Sequence, residues 1–383
     1  MAADNFFTNE HLHRFEFQCS ECGKSYPTAE PRWKCDCGNP LAITGIVSKS
    51  PCIPDPSEQG MWRYKEVLPL LSSPISIGEI MTPVVPVELD GRVFHMKLDF
   101  LSPTGSYKDR GVSLLVTALK AWGIERAVED SSGNAGSSMA AYCGKAGIDC
   151  NIYVPSNTSL GKTAQISVYG ANLIKIQGSR EDTALAAMEA GRSMFYASHN
   201  WSPFFEHGVK TYVYEMWEQL GHELPDVIIV PCGNGSLVTS AYLAIEELVG
   251  QGRAAKRPRL VGVQSEKCDP LARAWEQGLD SAVQVQKGTT IAEGIASALP
   301  VKSKQILEAV RKSSGLFVTV SDKDIIHALK TLASQGIFIE PTSATAPAAA
   351  IKLHEQGLFG EKEMVTVELT GTGLKAMDKV CNF

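Results

Sequence analysis

A regular alternation of short apolar runs and helical stretches, from Val84 to the C-terminus, constrains this fold more than any other feature of the sequence. The apolar runs are rich in β-branched residues, as is typical of strands that are covered on both faces. Alternation of this kind predicts parallel sheets with helices packed on each side. The candidate strands are residues 84–89, 93–98, 126–128, 150–154, 172–176, 195–198, 227–230, 260–263, 316–318 and 365–369.

Helical patterns fill most of the intervals between these strands. The strands are more numerous than one open sheet usually holds, so we expect two open, mostly parallel sheet domains of the α/β class, with helices on both faces. A chain of 383 residues, 44% hydrophobic and 20% charged, is long enough for both domains and an appendage. The candidate helices include residues 111–122, 135–145, 181–194, 236–248 and 322–334.

The charge and the apolar content argue against several classes of protein. The net charge is −6 and there is no long basic run, so we expect no nucleic-acid partner and no membrane surface as a partner. No stretch approaches the ~20 apolar residues of a spanning helix, and the N-terminus has no signal-peptide pattern. Most of the cysteines are scattered, as expected for reduced thiols. We therefore expect a cytoplasmic protein.

Four of the cysteines form two closely spaced pairs near the N-terminus. Cys19 and Cys22 belong to a Cys-x-x-Cys-Gly knuckle, and Cys35 and Cys37 to a tighter Cys-x-Cys-Gly knuckle. The glycines let the backbone turn so that both sulfurs of a knuckle face one point. Four thiolates in this pattern suit tetrahedral zinc and leave no open position for catalysis. The pattern predicts a zinc-ribbon-like module within residues 1–62, with a knuckle that binds metal weakly or not at all as the alternative.

Lys108 lies in a loop that leads into a helix. Pro103 and Gly105 interrupt regular structure, and an apolar stripe with helical spacing begins at Gly111. Lys108 is therefore expected at a helix N-terminus, where the positive end of the helix dipole weakens the preference of the amine for its charged form. A neutral amine can form a Schiff base with an aldehyde. An ordinary solvated lysine at a helix start is the alternative.

The loop after the candidate strand at residues 126–128 could receive an anion. Ser131, Ser132, Gly133 and Asn134 bring two hydroxyls, a side-chain amide and several backbone N–H groups to a helix start. This combination suits a carboxylate. A helix N-cap with a tight turn explains the same residues equally well.

The glycine-rich loop after the candidate strand at residues 227–230 is a candidate phosphate site. It reads Pro-Cys-Gly-Asn-Gly-Ser over residues 231–236 and leads into a helix near Leu237. The glycines let a phosphate approach the backbone N–H groups, and the helix dipole favours its negative charge. The spacing matches neither a P-loop nor a dinucleotide fingerprint, so we expect a smaller phosphate ligand. A third loop, Thr-Gly-Thr-Gly at residues 370–373, could hydrogen-bond a ring nitrogen or could simply end its strand.

These loops together, in this order, resemble those of the fold-type II pyridoxal-phosphate (PLP) enzymes, and above all those of threonine synthases. Residues 103–111 are similar to the family's cofactor-lysine motif, with Tyr107 where Phe is usual. The resemblance spans nearly the whole chain, including the four-cysteine module. The other matching segments are the carboxylate loop at 131–134, the phosphate loop at 233–235, a Gly-Ile-Phe-x-Glu-Pro-x-Ser-Ala segment at 336–344 and a closing motif at 369–375.

The resemblance implies a role for each of these loops. Lys108 would carry PLP as an internal aldimine and then move protons on the substrate carbons. Thr370 would face the pyridine nitrogen, where a hydroxyl favours elimination and replacement over transamination. Asn134 would reach the ring oxygen of the cofactor as well as the substrate. The substrate carboxylate would bind Ser131, Ser132, Gly133 and Asn134, and the cofactor phosphate Gly233, Asn234, Gly235, Ser236 and Leu237.

The resemblance also implies the domain division and the assembly. A large PLP-binding domain would comprise residues 63–100 and 206–383, and a small mobile domain residues 101–205. The family commonly forms dimers, so a homodimer is expected. The partner of the site would be a small amino-acid substrate, possibly phosphorylated.

Three positions depart from the threonine synthase pattern. The usual Gly-Glu-Gly-x-Thr-Pro has Ile80 in place of its second Gly, and Ala135 follows Asn134 where Thr is usual. Phe205 stands where the family commonly has an Arg that grips the substrate phosphate. A bidentate guanidinium is the usual way to hold such a group, so its loss should cost on the order of 2 to 5 kcal/mol unless another cation substitutes. Lys162 and His207 are the candidates for that cation.

Two PLP-dependent functions and one non-enzymatic function fit these residues. The first is a threonine synthase-like lyase, which converts O-phosphohomoserine and water to threonine and phosphate through carbanion intermediates. The second is a related β-elimination or β-replacement enzyme, such as a serine/threonine dehydratase, a diaminopropionate ammonia-lyase or a cysteate synthase. The third is a non-catalytic protein of the same fold with a zinc-ribbon surface, which the intact lysine and anion loops disfavour.

Overall fold

A computed structural model describes residues 15–45, 51–158, 160–381 and 383 of the chain. The chain divides into two compact units, each built from two stretches of sequence. The first unit contains Met1–Ile80 and Lys108–Thr211, and the second contains Met81–Tyr107 and Tyr212–Phe383. The domain boundaries predicted above stay a prediction.

The first unit begins with a small antiparallel sheet that carries the four clustered cysteines. Its strands are β1 (Phe15–Cys19), β2 (Ser25–Pro27) and β3 (Leu41–Gly45), in the order β2-β1-β3. Strand β1 alternates between buried and exposed residues, as expected for a sheet with one covered face. Phe17, which is fully buried, packs edge-on against Phe204 with ring centroids 5.8 Å apart. The Trp122 indole N–H also donates to the carbonyl oxygen of Thr28 at 2.8 Å.

The main sheet of the first unit is parallel and four-stranded. Its strand order is β8-β7-β6-β9, so β6 and β9 are neighbours and their carboxyl ends lie at one edge. The strands are β6 (Arg126–Glu129), β7 (Asp149–Pro155), β8 (Asn172–Ile176) and β9 (Phe195–Tyr196). The helices are α1 (Lys108–Ala121), α2 (Asn134–Ala146), α3 (Leu160–Val168), α4 (Arg180–Ala190) and α5 (Pro203–Val209).

The second unit contains a six-stranded sheet in the order β12-β11-β10-β13-β5-β4. The pairs are parallel except for β4 with β5. The strands are β4 (Val84–Leu89), β5 (Arg92–Lys97), β10 (Val227–Pro231), β11 (Arg259–Ser265), β12 (Leu316–Val320) and β13 (Val365–Glu368). The helices are α6 (Thr211–Gln219), α7 (Ser236–Gly250), α8 (Pro270–Glu276), α9 (Ser303–Lys312), α10 (Asp322–Ser334), α11 (Pro341–Glu355) and α12 (Met377–Val380).

The α/β architecture predicted from the alternating pattern is confirmed. Each of the candidate strands forms a strand of one of the two larger sheets. The predicted end of one helix is wrong, because the helix expected over 181–194 ends at Ala190. The chain turns there to enter β9, and Gly191 passes so close to Tyr196 that an added Cβ would lie 2.8 Å from the Tyr196 Cβ.

Short 3-10 helices occupy several connections, at Gly60–Val67, Asp99–Leu101, Glu293–Ile295 and Gly373–Ala376. Within the described part of the chain, no helix is both long and apolar enough to cross a membrane. All ten cysteines are described, and none of them forms a disulfide bond.

Candidate active site

Lys108 is the first residue of α1, three residues earlier than the apolar stripe indicated. The next residue, Asp109, is fully buried and accepts a hydrogen bond from the Ser138 hydroxyl on α2 at 2.6 Å. This bond joins the helix that starts at Lys108 to the helix that follows the carboxylate loop. Lys108 therefore starts a helix that is bonded to the helix following the carboxylate loop.

Phe205, a residue of α5, lies beneath the Lys108 side chain. The Lys108 Nζ is 5.2 Å from the centroid of the Phe205 ring, which is fully buried. Gly111 lies one turn further along α1. A Cβ at this position would lie 2.3 Å from the Phe205 ring, so the close approach of the ring requires glycine. The position where threonine synthases commonly have Arg is thus part of an apolar wall below the lysine. Of the two candidate substitute cations, His207 is buried on α5, and the side chain of Lys162 lies outside the described residues.

The carboxylate loop leads directly into α2. The helix begins at Asn134, and Gly133 in the N-cap position contributes no side-chain hydrogen bond. Ser131, Ser132 and Asn134 are partly exposed, whereas Ala135 is buried. The Gly133 N–H donates to the Ser131 hydroxyl at 3.4 Å. Backbone N–H groups and hydroxyls at a helix start are able to receive a carboxylate.

A cluster of ionisable groups that the sequence reasoning missed lies at the same sheet edge. Glu129 ends β6, and its carboxyl is 2.8 Å from Nδ1 of His199, which follows β9. The backbone N–H of His199 donates to the second carboxyl oxygen at 3.1 Å. Asp130 accepts from the Tyr196 hydroxyl at 2.9 Å and lies 2.8 Å from a guanidinium nitrogen of Arg180. The sequence signal that could have revealed this cluster is the pair of acidic residues, Glu129 and Asp130, at the end of an apolar strand.

Burial shifts the titration of this cluster. Burial and the neighbouring Asp130 carboxylate hold the pKa of Glu129 well above its usual range. Burial and the charge of Lys108 hold the pKa of His199 well below its usual value. Burial of the two groups therefore favours their uncharged forms.

The phosphate loop lies in the second unit, between β10 and α7. Gly235 has φ of +74° and occupies the N-cap position of α7, where it provides no side-chain cap. An added Cβ at this glycine would lie 2.3 Å from Ile306. An added Cβ at Gly233 would lie 2.8 Å from the Cα of Ile295. The side-chain oxygen of Asn234 accepts a hydrogen bond from Ser297. The loop therefore presents bare backbone at the start of a helix.

Tyr107 connects the phosphate loop to the closing motif within the second unit. Its hydroxyl is 3.1 Å from the Ser236 Oγ, on the first residue of α7. Its backbone N–H donates to the carbonyl oxygen of Thr370 at 3.0 Å. Thr370 is buried, and its own N–H donates to the Ser343 hydroxyl at 2.8 Å. Tyr107, the residue immediately before Lys108, is thus bonded to both the phosphate loop and the closing motif.

The four clustered cysteines converge at one point. Their sulfur atoms all lie within 4.8 Å of one another. The Cys19–Cys37 and Cys22–Cys35 sulfur pairs are each 3.5 Å apart. Tetrahedral zinc with Zn–S bonds of about 2.3 Å requires sulfur separations of about 3.8 Å. The four thiols can therefore hold one zinc ion after small adjustments.

Comparison with known proteins agrees with these features. The family model described as "Pyridoxal-phosphate dependent enzyme" matches residues 75–371. The threonine synthase of Methanocaldococcus jannaschii is 32% identical over 378 residues, which cover 94% of this chain and 93% of the relative. The threonine synthase of Mycobacterium leprae is 32% identical over 325 residues, which cover 82% of this chain and 88% of that relative.

The chain belongs to the pyridoxal-phosphate-dependent enzymes. It is a threonine synthase-like member of their fold-type II group. Solved structures of this fold include an aspartate racemase with TM-score 0.69 and 22% identity, covering 79% of this enzyme and 93% of the racemase. Maize serine racemase has TM-score 0.67 and 22% identity, with coverage of 79% and 93%.

The residues of this enzyme fit its cofactor. The start of α7 has no side-chain cap, and the glycines that precede it leave backbone N–H groups that suit a phosphate. Lys108 provides a primary amine at the head of α1, next to an apolar wall. The cofactor supplies an electron sink for carbanion chemistry at the substrate.

Proposed function

We propose that the enzyme is a threonine synthase, which converts O-phosphohomoserine and water to threonine and phosphate. The observation that carries the proposal is the likeness to threonine synthases along 94% of the chain, well beyond the part matched by the general family model. An amino-acid substrate agrees with the uncapped helix N-terminus at the carboxylate loop, which suits an α-carboxylate.

Each loop contributes one task to this reaction. Lys108 binds the cofactor through its amine and then takes and returns protons on the substrate carbons. Thr370 would hydrogen-bond the pyridine nitrogen, and Asn134 would contact both the substrate and the cofactor ring. The cofactor phosphate would be held by the backbone N–H groups of Gly233, Asn234, Gly235, Ser236 and Leu237, and the substrate carboxylate by Ser131, Ser132, Gly133 and Asn134. Ala135 and Phe205 line the substrate side of the site.

A related β-elimination or β-replacement activity is the second candidate, and Phe205 favours it. A buried aromatic ring at this position offers no charge to a phosphate leaving group. A neutral or amino-substituted leaving group would need no guanidinium there.

An assay of leaving-group release separates the two candidates. Purified enzyme is incubated with O-phosphohomoserine, and inorganic phosphate and threonine are measured together. Equal amounts of both products are expected. Parallel incubations with serine and with threonine are followed for keto acids. Keto-acid formation without phosphate release would replace the threonine synthase assignment with the second candidate. The Lys108→Ala enzyme, treated with borohydride, is the control and should retain no cofactor on that position.

We further propose that Cys19, Cys22, Cys35 and Cys37 bind one structural zinc ion and that the enzyme is a cytoplasmic homodimer. The converging sulfur atoms support the zinc site. The ten free thiols agree with a reducing compartment. The dimer rests on the family resemblance, and light scattering of the purified enzyme measures it.

A further inference from the structure

Phe205 stands where threonine synthases commonly present a guanidinium to the substrate phosphate, but another arginine of the first unit lies at the edge where the carboxylate loop begins. Arg180 is the first residue of α4 and follows the carboxyl end of β8. Its Nη1 is 2.8 Å from a carboxylate oxygen of Asp130, the residue that follows β6. A guanidinium therefore lies against the residue just before the carboxylate loop.

The Arg180 guanidinium is held from below by buried groups. The Asp130 side chain is 4% exposed, and its other carboxylate oxygen accepts from the Tyr196 hydroxyl at 2.9 Å. Tyr196 is buried and packs edge-on against Trp33, with ring centroids 4.8 Å apart. The Arg180 side chain itself is 35% exposed. A guanidinium carries several N–H donors in a planar fork, so a contact at Nη1 does not use all of them.

His199 connects this charge to the surroundings of Lys108. The His199 ring contacts the Phe205 ring edge-on, with centroids 5.5 Å apart, and the Lys108 Nζ is 5.2 Å from the centroid of the same Phe205 ring. An imidazole and a guanidinium thus accompany the proposed cofactor lysine within one unit. The charged and titratable groups that face His199 are Glu129 and Asp130 from the end of β6, Lys108 from α1 and Arg180 from α4.

The Glu129 carboxyl fixes how the His199 ring is turned. One carboxyl oxygen lies 2.8 Å from Nδ1, and the other accepts from the His199 backbone N–H at 3.1 Å. When the pair is neutral overall, the proton between the carboxyl and Nδ1 can lie on either atom, and Nε2 carries a hydrogen in both arrangements. Loss of one more proton would make the pair negative, which a nearby phosphate anion disfavours. A phosphate beside this ring therefore meets an N–H donor at Nε2.

We propose that Arg180 and His199 bind the phosphate of the substrate, Arg180 through its guanidinium and His199 through the N–H at Nε2, in place of the arginine that is missing at Phe205. The inference rests on the proposed function, since O-phosphohomoserine provides the phosphate. Asp130 and Glu129 are the positioning residues of this subsite, because each holds one of the two donor groups. Charge-assisted hydrogen bonds to a guanidinium are the strong ones, so the subsite selects phosphorylated amino acids.

The test compares two ligands of the PLP-loaded enzyme that differ in the anion alone. A phosphonate analogue of O-phosphohomoserine has carbon in place of the bridging oxygen, so its anion cannot leave. Norvaline has the same carbon chain without the phosphonate. The Kd of each ligand is measured from the change in cofactor absorbance, beside kcat and KM for O-phosphohomoserine. The wild-type enzyme is expected to bind the phosphonate about tenfold or more tightly than norvaline.

Two variants each remove one donor of the subsite. Arg180→Gln should raise the Kd for the phosphonate about tenfold and leave the Kd for norvaline unchanged, because a charged donor is lost. His199→Asn can keep an amide near the position of Nδ1, bonded to Glu129, but it has no counterpart of Nε2. It should raise the Kd for the phosphonate about fivefold, again without an effect on norvaline.

Two further variants and a stability measurement complete the set. Arg180→Lys keeps the positive charge without the planar fork and should recover part of the loss in Arg180→Gln. Arg192→Gln removes the exposed partner of Glu189 and is the control, which should bind both ligands like the wild type. The thermal midpoint of each variant is recorded with its Kd values.

The outcomes separate the subsite from the proposed function. Equal increases in Kd for the phosphonate and norvaline in Arg180→Gln would show a purely structural role and overturn the inference. A wild type that binds both ligands equally well would overturn it too. If the wild type releases phosphate from O-phosphohomoserine but the variants keep their selectivity for the phosphonate, only the subsite fails. If the phosphonate is bound selectively but no phosphate is released, the subsite stands and the proposed function fails.

Discussion

At the scale of single residues, Tyr107 distinguishes this chain from the motif it otherwise resembles. Its hydroxyl reaches Ser236 at the start of α7, a contact that the Phe usual at this position cannot make. Ser236 is among the residues proposed to hold the cofactor phosphate. The tyrosine therefore contacts the hydroxyl of a residue proposed to bind the phosphate, while its backbone N–H donates to Thr370.

Replacing Tyr107 by Phe should weaken cofactor binding without changing the fold. One neutral hydrogen bond contributes about 1 kcal/mol, so the Kd for PLP should rise about fivefold. The Kd is measured by fluorescence titration of the apoenzyme, and Tyr242→Phe, on the helix that begins at Ser236, is the control. The Tyr107→Phe/Ser236→Ala double variant should lose less than the sum of the single losses, because both changes remove the same bond. Strictly additive losses would contradict this contact.

At the scale of secondary-structure elements, the cysteine module supports the helices that flank the site. Phe17 on β1 packs against Phe204 on α5 and against Trp122, which follows α1. Phe204 precedes Phe205, whose ring lies beneath Lys108. The two knuckles hold the ends of the small sheet, since β1 ends at Cys19 and Gly38 donates its N–H to the carbonyl oxygen of Cys35. A metal in the module would thus stabilise the wall below the lysine.

Removing one thiol of the module should therefore remove zinc and loosen this wall. Cys22→Ser is expected to reduce bound zinc from one equivalent to none. The loss of about 2 kcal/mol of aromatic packing would lower Tm by roughly 5 °C. Metal analysis of protein purified without chelator and differential scanning calorimetry measure the two effects. Cys381→Ser, an exposed cysteine near the C-terminus, is the control and should change neither. Wild-type protein with almost no zinc would refute the metal site.

At the scale of the whole chain, the second unit must join two distant stretches of sequence. A fully buried ion pair does so: the Lys97 ammonium at the end of β5 lies 2.7 Å from the Glu215 carboxylate on α6. The ammonium also donates to the Thr82 carbonyl oxygen at 2.6 Å and to the Gln219 side chain at 3.1 Å. With its hydrogen bonds satisfied in this way, the pair tolerates burial.

Lys97→Met should destabilise the protein by about 3 to 5 kcal/mol, because it leaves the Glu215 carboxylate buried without its cation. Equilibrium urea unfolding measures the loss of free energy. The matched control is Lys256→Met, which removes a largely exposed partner of Asp226 and should cost at most about 1 kcal/mol. Equal losses in the two variants would contradict a special role for the buried pair.

Much of the fold could be predicted because its signals are local. Strand and helix periodicities lie within runs of five to fifteen residues, so the strands of the larger sheets and helices such as α10 were found. The small strands β1 to β3 were not predicted, since a three-residue strand such as β2 has no measurable period. The end of α4 was missed because apolar residues continue to Met194, beyond the Gly191 C-cap at which the helix ends.

The sequence by itself determined the layered α/β class, the loops at strand ends, Lys108 as the candidate for the reactive amine and four cysteines with metal spacing. Only the tertiary structure decided what surrounds that amine. Glu129 and His199 are separated by 70 positions in the chain, yet their side chains form one hydrogen-bonded pair. Phe205 lies below Lys108 because α5 packs against α1 at Gly111. Periodicity fixes which face of an element is buried, whereas the partner it meets depends on sheet order and packing, which no local pattern encodes.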